Sequence, residues 1–108
     1  MDEREGLVRE YLSMLLPANW NEMDVFDRRS YVRDTLDPTR PVGTVPRQYV
    51  SNMEIWCECF GKNKEDLRPT DSYAIASIME RINGWERVKD RMLLPIYGRQ
   101  RVYRKVST

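Results

Sequence analysis

Apolar side chains recur at helical spacing near the start of the chain, where Leu7, Val8, Tyr11, Leu12, Leu15 and Leu16 share one side. The spacing predicts a first helix over residues 3–16, and Pro17 ends it because proline lacks the N–H that the next turn would need. Asn19-Trp20-Asn21 reads as a turn. A second helix is expected from about Asp24 to Leu36, with Val25, Phe26, Arg29, Val32 and Leu36 marking its inward side. Asp37-Pro38 and Pro41-Val42-Gly43 then form a loop of about eight residues, the least ordered stretch the pattern predicts.

The third helix has a sharper start. Ser51-Asn52-Met53-Glu54 has the spacing of a capping box, in which the Ser51 hydroxyl and the Glu54 carboxylate each accept a backbone N–H left unpaired at the helix start. Val50 before the cap and Ile55 after it suit a hydrophobic staple, and Gly61 suits a left-handed cap at the far end. Pro46 offers an alternative start a turn and a half earlier. After a polar connector from Lys62 to Pro69, a fourth helix is expected to start at Thr70 or Asp71 and to bury Ile75, Ile78, Met79 and Ile82. Asn83-Gly84 ends it, and Trp85 falls where a Schellman cap makes its apolar contact.

Beyond Trp85 the period shifts from helical toward two. Met92, Leu94 and Ile96 alternate with their neighbours, as do Val102 and Arg104 against Tyr103 and Lys105. Tyr97-Gly98-Arg99-Gln100 supplies the turn between these runs, with Gly98 free to take the positive φ of a tight hairpin. Pro95 donates nothing to a ladder, so its strand is expected at an edge or bulged. The tip would present Arg99, Gln100 and Arg101, with Arg104 and Lys105 further back. The fold class predicted is therefore mainly α with a C-terminal β-hairpin. It is winged-helix-like, a helix-turn-helix plus wing with an extra N-terminal helix.

Charge changes the picture more than composition does. Residues 84–108 carry seven Lys/Arg against two Asp/Glu, whereas residues 1–83 carry eleven against fifteen. A basic end on a chain of net charge +1 points to a polyanionic partner, and guanidinium forks beside a tyrosine suit phosphate oxygens in or beside a groove. The 108 residues allow one core but not a second lobe. No apolar run approaches the ~20 residues of a membrane span, and Asp2-Glu3-Arg4-Glu5 lacks the basic start of a signal peptide. A cytoplasmic location is expected.

Enzyme chemistry finds little to work with. Histidine is absent, and Ser13, Ser30, Ser51, Ser72, Ser77 and Ser107 lie in no nucleophile elbow. Cys57 and Cys59, two apart on a helix, diverge by about 200° and so cannot pair with each other. Without histidine they have no zinc-ligand spacing, so no metal or cofactor is expected. Glu54 and Glu58 lie one turn apart and imitate a carboxylate pair, but the spacing favours Glu54 as a cap and Glu58 as a solvated side chain. Asp24, Asp27 and Asp34 read as surface charges pairing with Arg28, Arg33 and their neighbours.

Two phrases carry a family resemblance. Val50-Ser51-Asn52-Met53-Glu54-Ile55-Trp56-Cys57-Glu58-Cys59-Phe60-Gly61 and Ile96-Tyr97-Gly98-Arg99-Gln100-Arg101-Val102-Tyr103 resemble the carboxy-terminal region of virulence-associated protein E family proteins. These are phage- and mobile-island-encoded replication proteins related to primase-helicases. Leu16-Pro17-Ala18-Asn19-Trp20 and Asp27-Arg28-Arg29 resemble the stretch that follows the family's ATPase core, so the similarity spans nearly the whole chain. The family's activity is attributed to a P-loop ATPase, yet no G-x-x-x-x-G-K-[ST] occurs here. The resemblance implies a tail module without the ATPase. Residues 1–22 would then join an upstream domain and residues 23–108 would form the winged-helix-like unit that helps the replication protein engage DNA.

The candidate nucleic-acid-binding residues are Tyr73, Ser77 and Arg81 on the fourth helix and Arg99, Gln100, Arg101, Arg104 and Lys105 on the hairpin. Tyr73 is equally compatible with the core, and Glu80 would repel a phosphate backbone. Trp20, Trp56 and Trp85 are expected in core or cap packing rather than base stacking. Because the basic side chains lie mainly on the wing, binding would follow the backbone with little sequence preference. A rival reading of the hairpin is an edge strand guarded by Lys and Arg against aggregation. A rival function is a protein-interaction or oligomerisation module, with the acidic first helix and the Asp24-Asp27-Arg28-Arg29 surface docking on the replication ATPase.

Overall fold

A computed structural model describes residues 3–106. It consists of four helices and five short antiparallel strands. The helices are α1 (Glu3–Ser13), α2 (Val25–Arg33), α3 (Asn52–Glu54) running directly into a π-helical segment (Ile55–Cys59), and α4 (Pro69–Arg81). The strands are β1 (Tyr49–Ser51), β2 (Trp85–Arg87), β3 (Met92–Leu94), β4 (Gly98–Gln100) and β5 (Val102–Lys105). In the three-stranded sheet β5 lies between β1 and β2, with Val50 opposite Tyr103 and Arg87 opposite Tyr103 from the other side. β3 and β4 form a separate hairpin.

Local chemistry accounts for the helix ends. Asp24 caps α2 by accepting from the Asp27 N–H at 2.8 Å. In α3 the Ser51 hydroxyl accepts from the Glu54 N–H at 3.1 Å while the Glu54 carboxylate accepts from the Ser51 N–H at 2.9 Å, so the capping box forms. Gly61 closes this helix at φ +67°, and Gly84 follows α4 at φ +93°. α1 stops at Ser13, three residues before the expected end. Leu16 lies next to Pro17, which favours extended backbone there, and it bridges Val45 instead.

The main core joins Val8, Tyr11 and Leu12 of α1 to Val50, Ile55, Trp56, Ile75, Ile78, Met79, Ile82, Tyr97 and Tyr103. All four apolar positions expected inside from the fourth helical pattern are buried, each contributing about 1.5–3 kcal/mol by leaving water. Trp20 and Trp56 are buried and Trp85 packs half-buried against this core. A smaller cluster holds Leu16, Trp20, Met23 and Tyr31.

Two further expectations about the elements fail. The inward side of α2 carries Arg28 and Tyr31, while Phe26 and Leu36 are 70% and 96% exposed. An arginine turns inward because a buried carboxylate awaits it, a tertiary fact no periodicity contains. β1 is the other miss, since only Tyr49 and Val50 separate the Pro46-Arg47-Gln48 loop from the cap at Ser51. They gain strand character by pairing with β5.

Candidate functional site

The hairpin places the basic side chains, and its turn differs from the expected one. Leu94 pairs with Gly98, so the turn is Pro95-Ile96-Tyr97, and Arg99 and Gln100 lie on β4 rather than at the tip. The reason is Tyr97. Its side chain is buried, and its hydroxyl donates to the Glu58 carboxylate at 2.6 Å, pinning the tip against the body. Gln100 Nε2 donates to the Tyr97 carbonyl at 3.0 Å. Gly98 takes φ +74° as expected, but Ile96 takes φ +75° as well, an unusual state for a β-branched residue.

Behind the strand, Arg91, Arg99, Gln100 and Arg101 meet Asn52, Met53, Leu67 and Ser72 around a cavity of about 370 Å³. No carboxylate lines it. Arg91, Arg99 and Arg101 are exposed and make no ion pair among the described residues. Asn52 Nδ2 donates to the Ser72 hydroxyl at 3.1 Å, which ties the start of α3 to the first turn of α4. Arg91 and Asn52 were absent from the sequence-predicted set. The basic run Arg87-Val88-Lys89-Asp90-Arg91 was the available signal for the first; nothing local marks the second.

The other predicted residues separate. Tyr73, 72% exposed, and Ser77 lie on the outer face of α4, so Tyr73 is not a core residue. Arg81 points elsewhere: its Nε donates to Glu5 at 2.6 Å, and it holds that carboxyl below the usual glutamate range. Arg104 is ion-paired with Glu86 across the β2–β5 ladder, and Lys105 sits opposite Trp85. Arg87 lies 3.9 Å from Glu80 and so offsets its charge.

The interior holds a second cluster of charge. Glu58 is 2% exposed rather than solvated. One oxygen accepts from Tyr11 at 2.8 Å, the other from Arg28 at 3.0 Å and from Tyr97. Arg28 is not a surface partner of the α2 aspartates. Its remaining donors reach the Trp20 carbonyl, and its guanidinium stacks over the Trp20 ring. Arg47 lies over the Tyr11 ring with Nη1 3.5 Å from Glu54, and burial pushes the Glu54 carboxyl up to about 6 against the pull of that guanidinium. Burial also pushes Cys57 up to about 11 and Cys59 up to about 12, which keeps both thiols protonated and unreactive at neutral pH.

A groove of about 740 Å³ lies between α1 and α2 over Cys59 and Phe60, rimmed by Leu7, Met14 and Phe26. No helix among the described residues is long and apolar enough to cross a membrane. No family model matches the chain, and no curated protein matches it.

Proposed function

We propose that this chain is a non-catalytic, winged-helix-like DNA-binding accessory domain of a phage or mobile-element replication protein, acting in the cytoplasm beside a P-loop ATPase. The observation that carries this reading is the Arg91–Arg99–Arg101 trio around a cavity without a carboxylate. Three exposed guanidinium groups repel one another, and a row of phosphates relieves that repulsion with bidentate hydrogen bonds. The element order supports the winged-helix form. α3 and α4 make the helical pair, β5 runs between β1 and β2, and the β3–β4 hairpin extends the β2–β5 connection as a wing would. The two phrases resembling the virulence-associated protein E family fall on α3 and on this hairpin.

The contact geometry favours backbone over bases. Tyr73 and Ser77 offer only hydroxyls on the outer face of α4, while Glu80 and Arg81 are engaged by Arg87 and Glu5. Each duplex phosphate neutralised adds about −0.9 to the slope of log affinity against log salt, so three arginines supply roughly −2.7. The triple variant Arg91→Ala/Arg99→Ala/Arg101→Ala should therefore bind labelled DNA far more weakly at low salt and with a slope flattened by about that amount. Fluorescence anisotropy on single- and double-stranded oligomers reads both. Unchanged affinity and slope in the triple variant would sink the reading.

The α1–α2 groove favours the second function, docking on a partner protein. Phe26, with the Arg29 guanidinium 5.8 Å from its ring centroid, is 70% exposed on its rim, and Leu7 on the same groove is 51% exposed, so the groove presents apolar surface to solvent. Association with the replication ATPase that is lost on Phe26→Asp, with no DNA binding by the chain, would favour docking over nucleic-acid contact.

A further inference from the structure

We infer that Tyr97 is a positioning residue for the arginine site, holding the β3–β4 hairpin to the body through the buried Glu58 carboxylate; the inference rests on the nucleic-acid reading above. The hairpin shares no ladder with the three-stranded sheet. One end is fixed by the chain itself, since only Arg101 separates β4 from β5. The other end is the turn, and there Leu94 packs beside the core while Tyr97 enters it. Arg99 on β4 follows Tyr97 of the turn by two residues, so any swing of the turn moves its guanidinium directly.

Two further features point to tension in this tether. Ile96 is held at φ +75° next to it, a conformation that persists only where the surroundings over-determine it. The turn carbonyl of Tyr97 is also the acceptor for Gln100, a residue lining the arginine cavity. The anchor is also held from outside the hairpin. Glu58 is fixed by Arg28 from α2 and by Tyr11 from α1, with Glu54 and Arg47 packed beside it. A carboxylate held from two helices besides its own is a firm anchor, and a hydrogen bond to such a charged group is stronger than a neutral one.

The structure supplies its own control. Tyr11 and Tyr97 each give one hydroxyl to Glu58, at 2.8 Å and 2.6 Å, and both rings are buried. Tyr11 lies on α1, outside the hairpin. Phenylalanine at either position removes one oxygen and keeps the ring, and Arg28 with the remaining tyrosine still satisfies Glu58.

The test compares Tyr97→Phe, Tyr11→Phe and the unmodified chain. Both variants should lose similar thermal stability. Only Tyr97→Phe should speed amide exchange across residues 92–100, by about tenfold, and weaken DNA binding about tenfold with a shallower salt dependence. Equal effects of the two variants on hairpin exchange and on DNA affinity would overturn the tether and reduce Tyr97 to a core residue. Selective opening of the hairpin in Tyr97→Phe, in a chain that binds no DNA at low salt, would uphold the tether and overturn the nucleic-acid reading.

Discussion

Glu54 does two jobs whose physical demands conflict. As a cap it accepts the Ser51 N–H, which favours the charged carboxylate, yet its burial favours the neutral acid, and burial is the larger effect. The groups facing it are Arg47, Glu58 and Arg28, of which Glu58 adds to the upward shift and the two arginines oppose it. With the carboxyl raised from 4.5 to about 6, the folded chain holds this proton more tightly than the unfolded chain. Its stabilising effect is therefore complete below about pH 4.5 and is lost as pH rises through 6, on the order of 2 kcal/mol across that window. Glu54→Gln keeps a capping side chain and removes the proton, so urea midpoints measured from pH 4 to pH 7 should lose this component. An undiminished fall in stability in the variant would assign the titration to another group. The capping box could be read from four consecutive letters because it is local. The burial that inverts the carboxyl's behaviour could not, because it depends on α2 and the 45–49 segment closing over it.

At the scale of elements, α2 and the π-helical end of α3 are joined by one ion pair that neither sequence pattern announces. Arg28 sits on the side of α2 where periodicity asks for an apolar residue, and Glu58 sits on a helix face that reads as solvated. Each looks wrong alone, and together they satisfy each other at 3.0 Å with side chains almost wholly out of water. Arg28→Met should cost about 3–5 kcal/mol, because it strands a buried carboxylate with only two tyrosine donors. The equilibrium urea midpoint checks this, and a loss below about 1 kcal/mol would mean that Glu58 discards its charge without consequence. The same pair explains the hairpin. Its turn register was misread because Gly98 is a sound local choice for the bend, while the deciding interaction, Tyr97 with Glu58, spans 39 residues.

For the molecule as a whole, the division into a separable first helix and a following unit meets a core that runs through both. Val8, Tyr11 and Leu12 share the main cluster with Ile55, Ile78 and Tyr103, and Tyr11 closes over Glu58. A chain beginning at residue 23 should consequently show no cooperative unfolding transition by circular dichroism, since it loses the buried side chains Val8, Tyr11, Leu12, Leu16 and Trp20, and with Tyr11 a donor to the buried carboxylate. A cooperative transition in that fragment would restore the first helix to the status of an appendage. Charge is also organised at this scale. Of the basic residues on the C-terminal stretch, Arg104 and Arg87 pair with Glu86 and Glu80, while Lys89, Lys105 and the Arg91–Arg99–Arg101 group are exposed without an ion pair among the described residues, and only the last three share one cavity.

The amino-acid sequence by itself determined the four helices, the capping box at Ser51, the buried face of α4, the glycine ends at Gly61 and Gly84, and the basic character of the final stretch. Those features arise from neighbours within one or two turns, where spacing and side-chain type suffice. Only the tertiary structure decided that β1 exists, that Arg28 and Glu58 are interior, that the turn is Pro95-Ile96-Tyr97, and that Arg87 and Arg104 are ion-paired while Arg91, Arg99 and Arg101 are not. Each of those depends on which distant residue supplies the missing donor, acceptor or counter-charge, and that is fixed only when the chain closes on itself.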